Sequence, residues 1–154
     1  MVRRHPLPAC WLMSDARSAA GTVALAALLP PGSGIVLRHD ALPQGARWRL
    51  ARRLARVAKA RGLMLLIAGL PAEARRWGAD GVHLRQHAAR RAAQARAIGL
   101  IVTMPVHYHR EARRAKRAGA DAAFVSPLHP TRSHIDAVPL SRAAWLRLAR
   151  AAGG

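Results

Sequence analysis

The stretch Gly78-Ala-Asp-Gly-Val-His-Leu-Arg-Gln86 decides the fold, and Gly119-Ala-Asp-Ala-Ala-Phe-Val-Ser-Pro127 repeats its plan. In each, a Gly-Ala-Asp step follows an Arg/Ala-rich helical pattern. It precedes an apolar run that ends in polar or turn-forming residues. Glycine just past a helix takes the left-handed conformation that ends it without a steric penalty. The step therefore reads as helix end, tight loop, buried strand and polar strand end. Its recurrence predicts a repeating βα architecture whose chemistry sits where the strands finish.

Working outward, strand-length apolar runs alternate with helical patterns along the whole chain. Strands are expected at 10–13, 34–37, 63–67, 81–84, 100–104 and 122–125. Helices are expected at 19–29, from Pro43 to a cap at Gly62, and at 71–77, 88–98, 109–118 and 142–152, the last with Ser141 as N-cap. The run Leu63-Met-Leu-Leu-Ile67 lacks polar alternation, which suits a parallel strand buried on both faces. In the long second helix, Trp48, Leu50, Leu54 and Val57 form the expected apolar side. Arg47, Arg49, Arg52, Arg53 and Arg56 are expected on a solvated face. Connections this short force parallel neighbours. Two architectures fit, an open doubly wound sheet and a (β/α) barrel. The first βα turn, Ser14-Asp15-Ala16-Arg17, lacks the glycine-rich pyrophosphate fingerprint of dinucleotide-binding folds.

The chain has 154 residues, of which 51% are hydrophobic, enough for one domain with a core. One cysteine, Cys10, excludes an internal disulfide framework and is expected in the core rather than as a nucleophile. A reducing, cytoplasmic setting follows. No run approaches the length of a membrane span, and Pro6 and Pro8 interrupt the N-terminal apolar stretch, so neither a membrane segment nor a leader is expected. Lys and Arg total 26 against 7 acids, a formal charge of +19. The basic residues are nearly all arginine and are spread over several helices, and aromatics are only 4%. Non-specific adhesion to nucleic acid is expected, specific recognition is not.

The strand ends and the loops after them collect Arg38, His83, Arg85, Gln86, His107, Thr131, Arg132, Ser133 and His134. Of the eight histidines, all but His5 fall in such places. Arginines and histidines together favour an anionic ligand such as a phosphate ester. Acids are too few for a well-supplied Mg²⁺ site. A zinc site from His83, His107 and His134 is conceivable, but nothing in their spacing requires one. An imidazole such as His107 titrates near neutrality and suits acid–base work.

These residues carry a family resemblance over roughly residues 10–145. The segment 78–86 is similar to the Gly-Ala-Asp-Gly-Val-His-Leu-Gly-Gln segment of thiamine-phosphate synthase and its TenI-type relatives. Ile35-Val-Leu-Arg38 resembles the family's second strand, which ends in arginine. His107 stands twelve residues before Gly119, as the family histidine does before its Gly-Ala-Asp step. Ser126-Pro-Leu-His-Pro-Thr-Arg-Ser-His134 resembles the family's Pro-Thr loop. The resemblance implies a TIM-type barrel of α/β class, here with about six βα units in a single domain over 1–154, the chain ending before the final units. It implies a role in thiamine biosynthesis. Synthase members join a pyrimidine pyrophosphate to a thiazole phosphate with Mg²⁺ and release pyrophosphate, and TenI-type relatives isomerise the thiazole phosphate.

Residue by residue, the resemblance implies His107 as the catalytic acid–base. It implies Arg38, His83, Gln86, Thr131, Arg132, Ser133 and His134 as the substrate-binding set. It also exposes departures. Val36 stands for the family's glutamine, Asp40 for a lysine, Ala68-Gly69 for an Asn-Asp pair, Ala88 for a second metal-binding aspartate, Pro105 for a serine and His134 for a lysine. No metal ligand and no cofactor are expected, and these losses argue against synthase turnover. The expected partner is a small phosphorylated compound. The alternative is a non-catalytic phosphometabolite-binding pseudoenzyme or the product of a truncated gene. Self-association of the chain is left open.

Overall fold

The computed structural model describes residues 6–18, 21–130 and 138–153. Six strands form one parallel sheet in chain order: β1 (Trp11–Met13), β2 (Gly34–Leu37), β3 (Met64–Ala68), β4 (Gly81–His83), β5 (Ile101–Val106) and β6 (Ala122–Val125). Between and after them run α1 (Thr22–Leu28), α2 (Gln44–Arg61), α3 (Pro71–Trp77), a 3-10 helix (Gln86–Arg91) leading into α4 (Ala92–Ala97), α5 (His109–Ala118) and α6 (Arg142–Ala152). The sheet curls into a half-barrel. Although β1 and β6 are its two edges, the rings of Trp11 and Phe124 meet edge-to-face with centroids 5.3 Å apart.

The curl divides the apolar residues into two layers by the period-two alternation of strands. On β2, Ile35 and Leu37 join the helix-facing core while Val36 faces inward. On β3, Leu65 and Ile67 face the helices, and Leu66 and Ala68 the interior. Both faces are therefore buried, which explains why these strands carry no polar alternation. Trp11, Met13, Met64, Ile101 and Phe124 pack on the inner layer. Two glycines make that layer possible. A Cβ on Gly34 would lie 2.2 Å from the Trp11 ring, and one on Gly81 would lie 2.4 Å from the Ile101 carbonyl oxygen.

The Gly-Ala-Asp steps perform one structural task twice. Gly78 (φ 79°) and Gly119 (φ 65°) end α3 and α5 in the left-handed conformation. The next polar residue then joins the neighbouring strand. The Asp80 carboxylate accepts the Leu65 amide at 2.7 Å, and the Asp80 amide donates to the Leu65 carbonyl at 2.8 Å. Asp121 repeats both bonds with Val102, each 2.7 Å. At the far edge, Trp145 of α6 donates to the Val125 carbonyl at 3.1 Å and occupies part of the open side of β6. Ser141 caps α6 as expected, accepting the Ala144 amide at 3.2 Å.

Several expectations are corrected. Cys10 is exposed rather than in the core. It stands just before β1 at the sheet edge, where its carbonyl accepts the Gly34 amide at 2.8 Å. The buried stripe of α2 is Arg47, Ala51, Leu54 and Ala58, while Trp48 is 45% exposed. Small alanines let α2 lie close to the sheet, which rotates the helix until Arg47 faces inward. β5 runs two residues beyond the expected end, through Pro105. The Pro105 carbonyl points to the β4 side, where Gln86 reaches it beyond the last β4 pairing, so the missing N–H costs no ladder bond. The helix expected at 88–98 begins earlier, as a 3-10 turn from Gln86, and becomes α-helical only at Ala92.

Candidate functional site

The C-terminal ends of β1 and β2 are tied together through Ser14. Its hydroxyl, 2% exposed, accepts the Arg38 amide at 2.8 Å and lies 2.9 Å from His39 Nδ1. The other ring nitrogen of His39, Nε2, lies 3.4 Å from the Thr22 hydroxyl. His39 has φ 31°, a left-handed conformation rare for a residue with a side chain. The two hydroxyls hold it there. Burial, more than any neighbouring charge, lowers its pKa, so it stays neutral near pH 7. On the exposed side of the same turn, Arg17 clamps Asp15 and holds its carboxyl well below the usual carboxylate range.

Arg38 leaves β2 half-buried and donates from Nε to the Ser14 carbonyl at 3.0 Å. Its charge acts on His83 at the end of β4. His83 is buried, its Nδ1 is 2.9 Å from the Thr103 hydroxyl, and its ring lies edge-on to Phe124 with centroids 5.6 Å apart. Burial first, and then the Arg38 charge, pushes the His83 pKa down to about 4. The strand ends of the half-barrel thus present a guanidinium held on the Ser14 carbonyl and a buried, neutral imidazole.

A second pocket, about 320 Å³, opens outside the ends of β2–β4. Its walls include Asp40, Arg47, Ala68, Gly69, Arg85, Ala88, Arg90 and Arg91. Arg47 is 8% exposed and acts as its floor. It donates to the Arg38 carbonyl at 3.2 Å and to the Ala68 carbonyl, and its guanidinium lies 5.6 Å from the Trp77 ring centroid. It also pairs with Asp40 at 3.3 Å and reaches Glu73 at 4.0 Å. Arg85 pairs with Asp40 from the other side. Arg90 and Arg91 make no ion pair among the described residues.

His107 follows β5. Its amide donates to the Glu111 carboxylate at 2.7 Å, and its Nδ1 lies 2.7 Å from the Ser126 carbonyl. A carbonyl only accepts, so Nδ1 carries the proton and the basic lone pair is on Nε2. With Tyr108, Leu140 and Arg147, His107 lines a cleft of about 450 Å³ between α5 and α6. Gln86 bridges the two regions: its amide donates to the Pro105 carbonyl and its side-chain oxygen accepts from Arg114 at 3.4 Å.

Of the residues expected at the site, the structure sets Arg38 and His83 at the ends of β2 and β4, places Gln86 beside the end of β5, and sets His107 against β6 and the α5–α6 cleft. Thr131, Arg132, Ser133 and His134 lie outside the described residues. No group of three His, Cys, Asp or Glu side chains among the described residues is arranged to hold a metal ion. Sequence reasoning missed Arg47 and Thr103. The signal for Arg47 was its place on one helical stripe with Ala51, Leu54 and Ala58. For Thr103 it was the one hydroxyl in an apolar run.

No helix among the described residues is long and apolar enough to cross a membrane. No curated protein matches the sequence. Among solved structures, the fold is similar to thiamine phosphate pyrophosphorylase from Pyrococcus furiosus, with a TM-score of 0.69 and 22% identity. That match covers 81% of this chain and 62% of the other, so the chain spans less than two thirds of the archaeal protein's length. The TMP-TENI family model, described as thiamine monophosphate synthase, matches residues 13–153. With the half-barrel, the paired Gly-Ala-Asp steps and the strand-end arginine and histidine, this match establishes that the chain belongs to the thiamine monophosphate synthase family.

Proposed function

We propose that the protein binds a phosphorylated precursor of thiamine phosphate, the thiazole phosphate or the pyrimidine pyrophosphate, at the C-terminal ends of its strands. The observation that carries this reading is the placement of Arg38, held on the Ser14 carbonyl, and of the buried His83 at the C-terminal ends of β2 and β4. A guanidinium offers forked donors to phosphate oxygens, and a neutral imidazole adds a hydrogen bond without a second fixed charge. Gln86, Thr131, Arg132, Ser133 and His134 are proposed to complete the phosphate contacts. His107 is the proposed acid–base residue. A cytoplasmic location belongs to the same proposal.

The Mg²⁺ that the family implies does not fit the residues present. The family's Asn-Asp pair corresponds to Ala68-Gly69 and its second aspartate to Ala88, so both carboxylates are replaced by residues that bring no side-chain donor to the pocket wall. Asp40, the one carboxylate in that wall, is already paired with Arg47 and Arg85. Hard divalent cations require several oxygen ligands. This supports the non-catalytic reading as the second one, in which ligand is bound without condensation.

Calorimetry with thiazole phosphate and with pyrimidine pyrophosphate tests the binding proposal. Heat of binding is expected for at least one, and weaker binding in Arg38→Ala. Absence of binding to both compounds overturns it. Incubating both with the protein and Mg²⁺, and assaying thiamine phosphate, decides turnover. Product that disappears in His107→Ala assigns the acid–base role to that residue. Binding without product favours the non-catalytic reading.

A further inference from the structure

We infer that the pocket walled by Arg47, Arg85, Arg90 and Arg91 is a polyphosphate-type anion site that works without a divalent cation, with Asp40 as its internal counter-ion. This deepens the phosphometabolite reading above and rests on it. The four arginines line one cavity of about 320 Å³ between the β3–α3 turn and the 3-10 helix. Arg47 is buried and held on two carbonyls, so its charge is fixed in place before any ligand arrives. Among the described residues Asp40 is the one carboxylate lining the pocket, and Glu73 reaches the Arg47 guanidinium at 4.0 Å. The wall therefore keeps an excess of positive charge even with its internal pairs formed.

The same geometry explains why a cation is dispensable. A metal ion on a diphosphate neutralises charge and bridges oxygens. Forked guanidiniums do both, with directional hydrogen bonds and no need for carboxylate ligands. A carboxylate-poor, arginine-rich wall would repel Mg²⁺ and attract the bare anion. Asp40 then acts as a placeholder. Its pairs with Arg47 and Arg85 occupy the fork that the anion would use, and Arg85 is 62% exposed and able to turn from one partner to the other. The solvent-exposed Asp40–Arg85 pair is held weakly, so an anion with several charged oxygens displaces it.

Inorganic pyrophosphate, titrated calorimetrically into the full chain, tests the inference. Binding in EDTA is expected to match or exceed binding in excess Mg²⁺, because the cation competes for the anion. The double variant Arg90→Ala/Arg91→Ala should weaken binding about tenfold. Arg52→Ala/Arg56→Ala alters the basic cleft beside Gly78 and Asp80, near the start of β4, and should change it less than about twofold. Asp40→Asn should tighten binding about fivefold, by removing the competing carboxylate. Binding that appears only with Mg²⁺ overturns the inference, and so do equal losses in the two double variants, which would mark diffuse attraction to a basic surface. Thiazole phosphate titrated in parallel separates the two readings. If it binds while pyrophosphate does not, the metal-free pocket falls alone. If neither binds, both fall.

Discussion

Asp80 accepts the backbone amide of Leu65 at 2.7 Å and so fastens the start of β4 to β3. The charge-assisted bond is one of a pair, since Asp121 holds Val102 in the same register one repeat later. The Asp of the Gly-Ala-Asp step thus serves the sheet and leaves the chemistry to the opposite ends of the strands. Asp80→Ala should destabilise the fold by about 1–2 kcal/mol, because hydrogen bonds to charged groups exceed neutral ones and this one is partly solvated. Asp121→Ala should act in the same direction. Denaturant unfolding of both variants is the check, and ligand binding at native conditions should be unchanged.

Gly81 opens β4, and its missing side chain decides how tightly β3, β4 and β5 curl. An added Cβ would meet the Ile101 carbonyl oxygen at 2.4 Å and a Leu66 methyl at 2.6 Å. One of these contacts is backbone and cannot rotate away. Gly81→Ala should therefore cost about 1–3 kcal/mol or more by overpacking. Gly78→Ala meets no such crowding, since its nearest neighbour is an Arg52 nitrogen at 3.8 Å, and its cost arises from φ 79° alone. Thermal melts of the two variants should rank Gly81→Ala as the more damaging.

Arg47 is an arginine acting as a core residue. Arg47→Met keeps the aliphatic stem but strips donors from the Ala68 and Arg38 carbonyls and a partner from Asp40 and Glu73. Leaving buried acceptors unsatisfied costs about 1–3 kcal/mol. Arg49→Met, two positions along on the exposed side of α2, should be nearly neutral. Unfolding curves that failed to separate the two substitutions would remove the structural role given to Arg47.

The order of elements was legible because each level of the sequence agreed. Glycines at 62, 78, 99 and 119 take positive φ after their helices, and continuous apolar runs at β2 and β3 matched strands buried on both faces. The site was legible only where residues sit at strand ends, as Arg38 and His83 do. Arg47 was hidden because α2 carries many arginines, and charge alone does not reveal which one the neighbouring alanines draw inward. The pairing of Asp40 with Arg85 was hidden too, since they are 45 residues apart and meet only when β2 and β4 take their places in the curl. β5 extends past its expected end at Met104, through Pro105. The end of β4 frees its side of the backbone, and that end is a tertiary fact.

His83 should make stability depend on pH in a defined window. Its ordinary pKa is 6.5, and burial with the Arg38 charge lowers it to about 4 in the folded protein. Between these values the unfolded chain binds the proton more readily than the folded one. The stability contributed by the neutral imidazole is therefore complete above about pH 6.5 and is lost as pH falls through about 4, with a total on the order of 3 kcal/mol. His39, also lowered by burial, adds a contribution of the same sign. His83→Gln keeps a polar partner for the buried Thr103 hydroxyl but cannot titrate. Melting temperatures at pH 7 and at pH 4.5 should fall apart less in that variant than in the parent. If the parent and His83→Gln lose the same stability over this range, the buried neutral imidazole does not govern the acid limb.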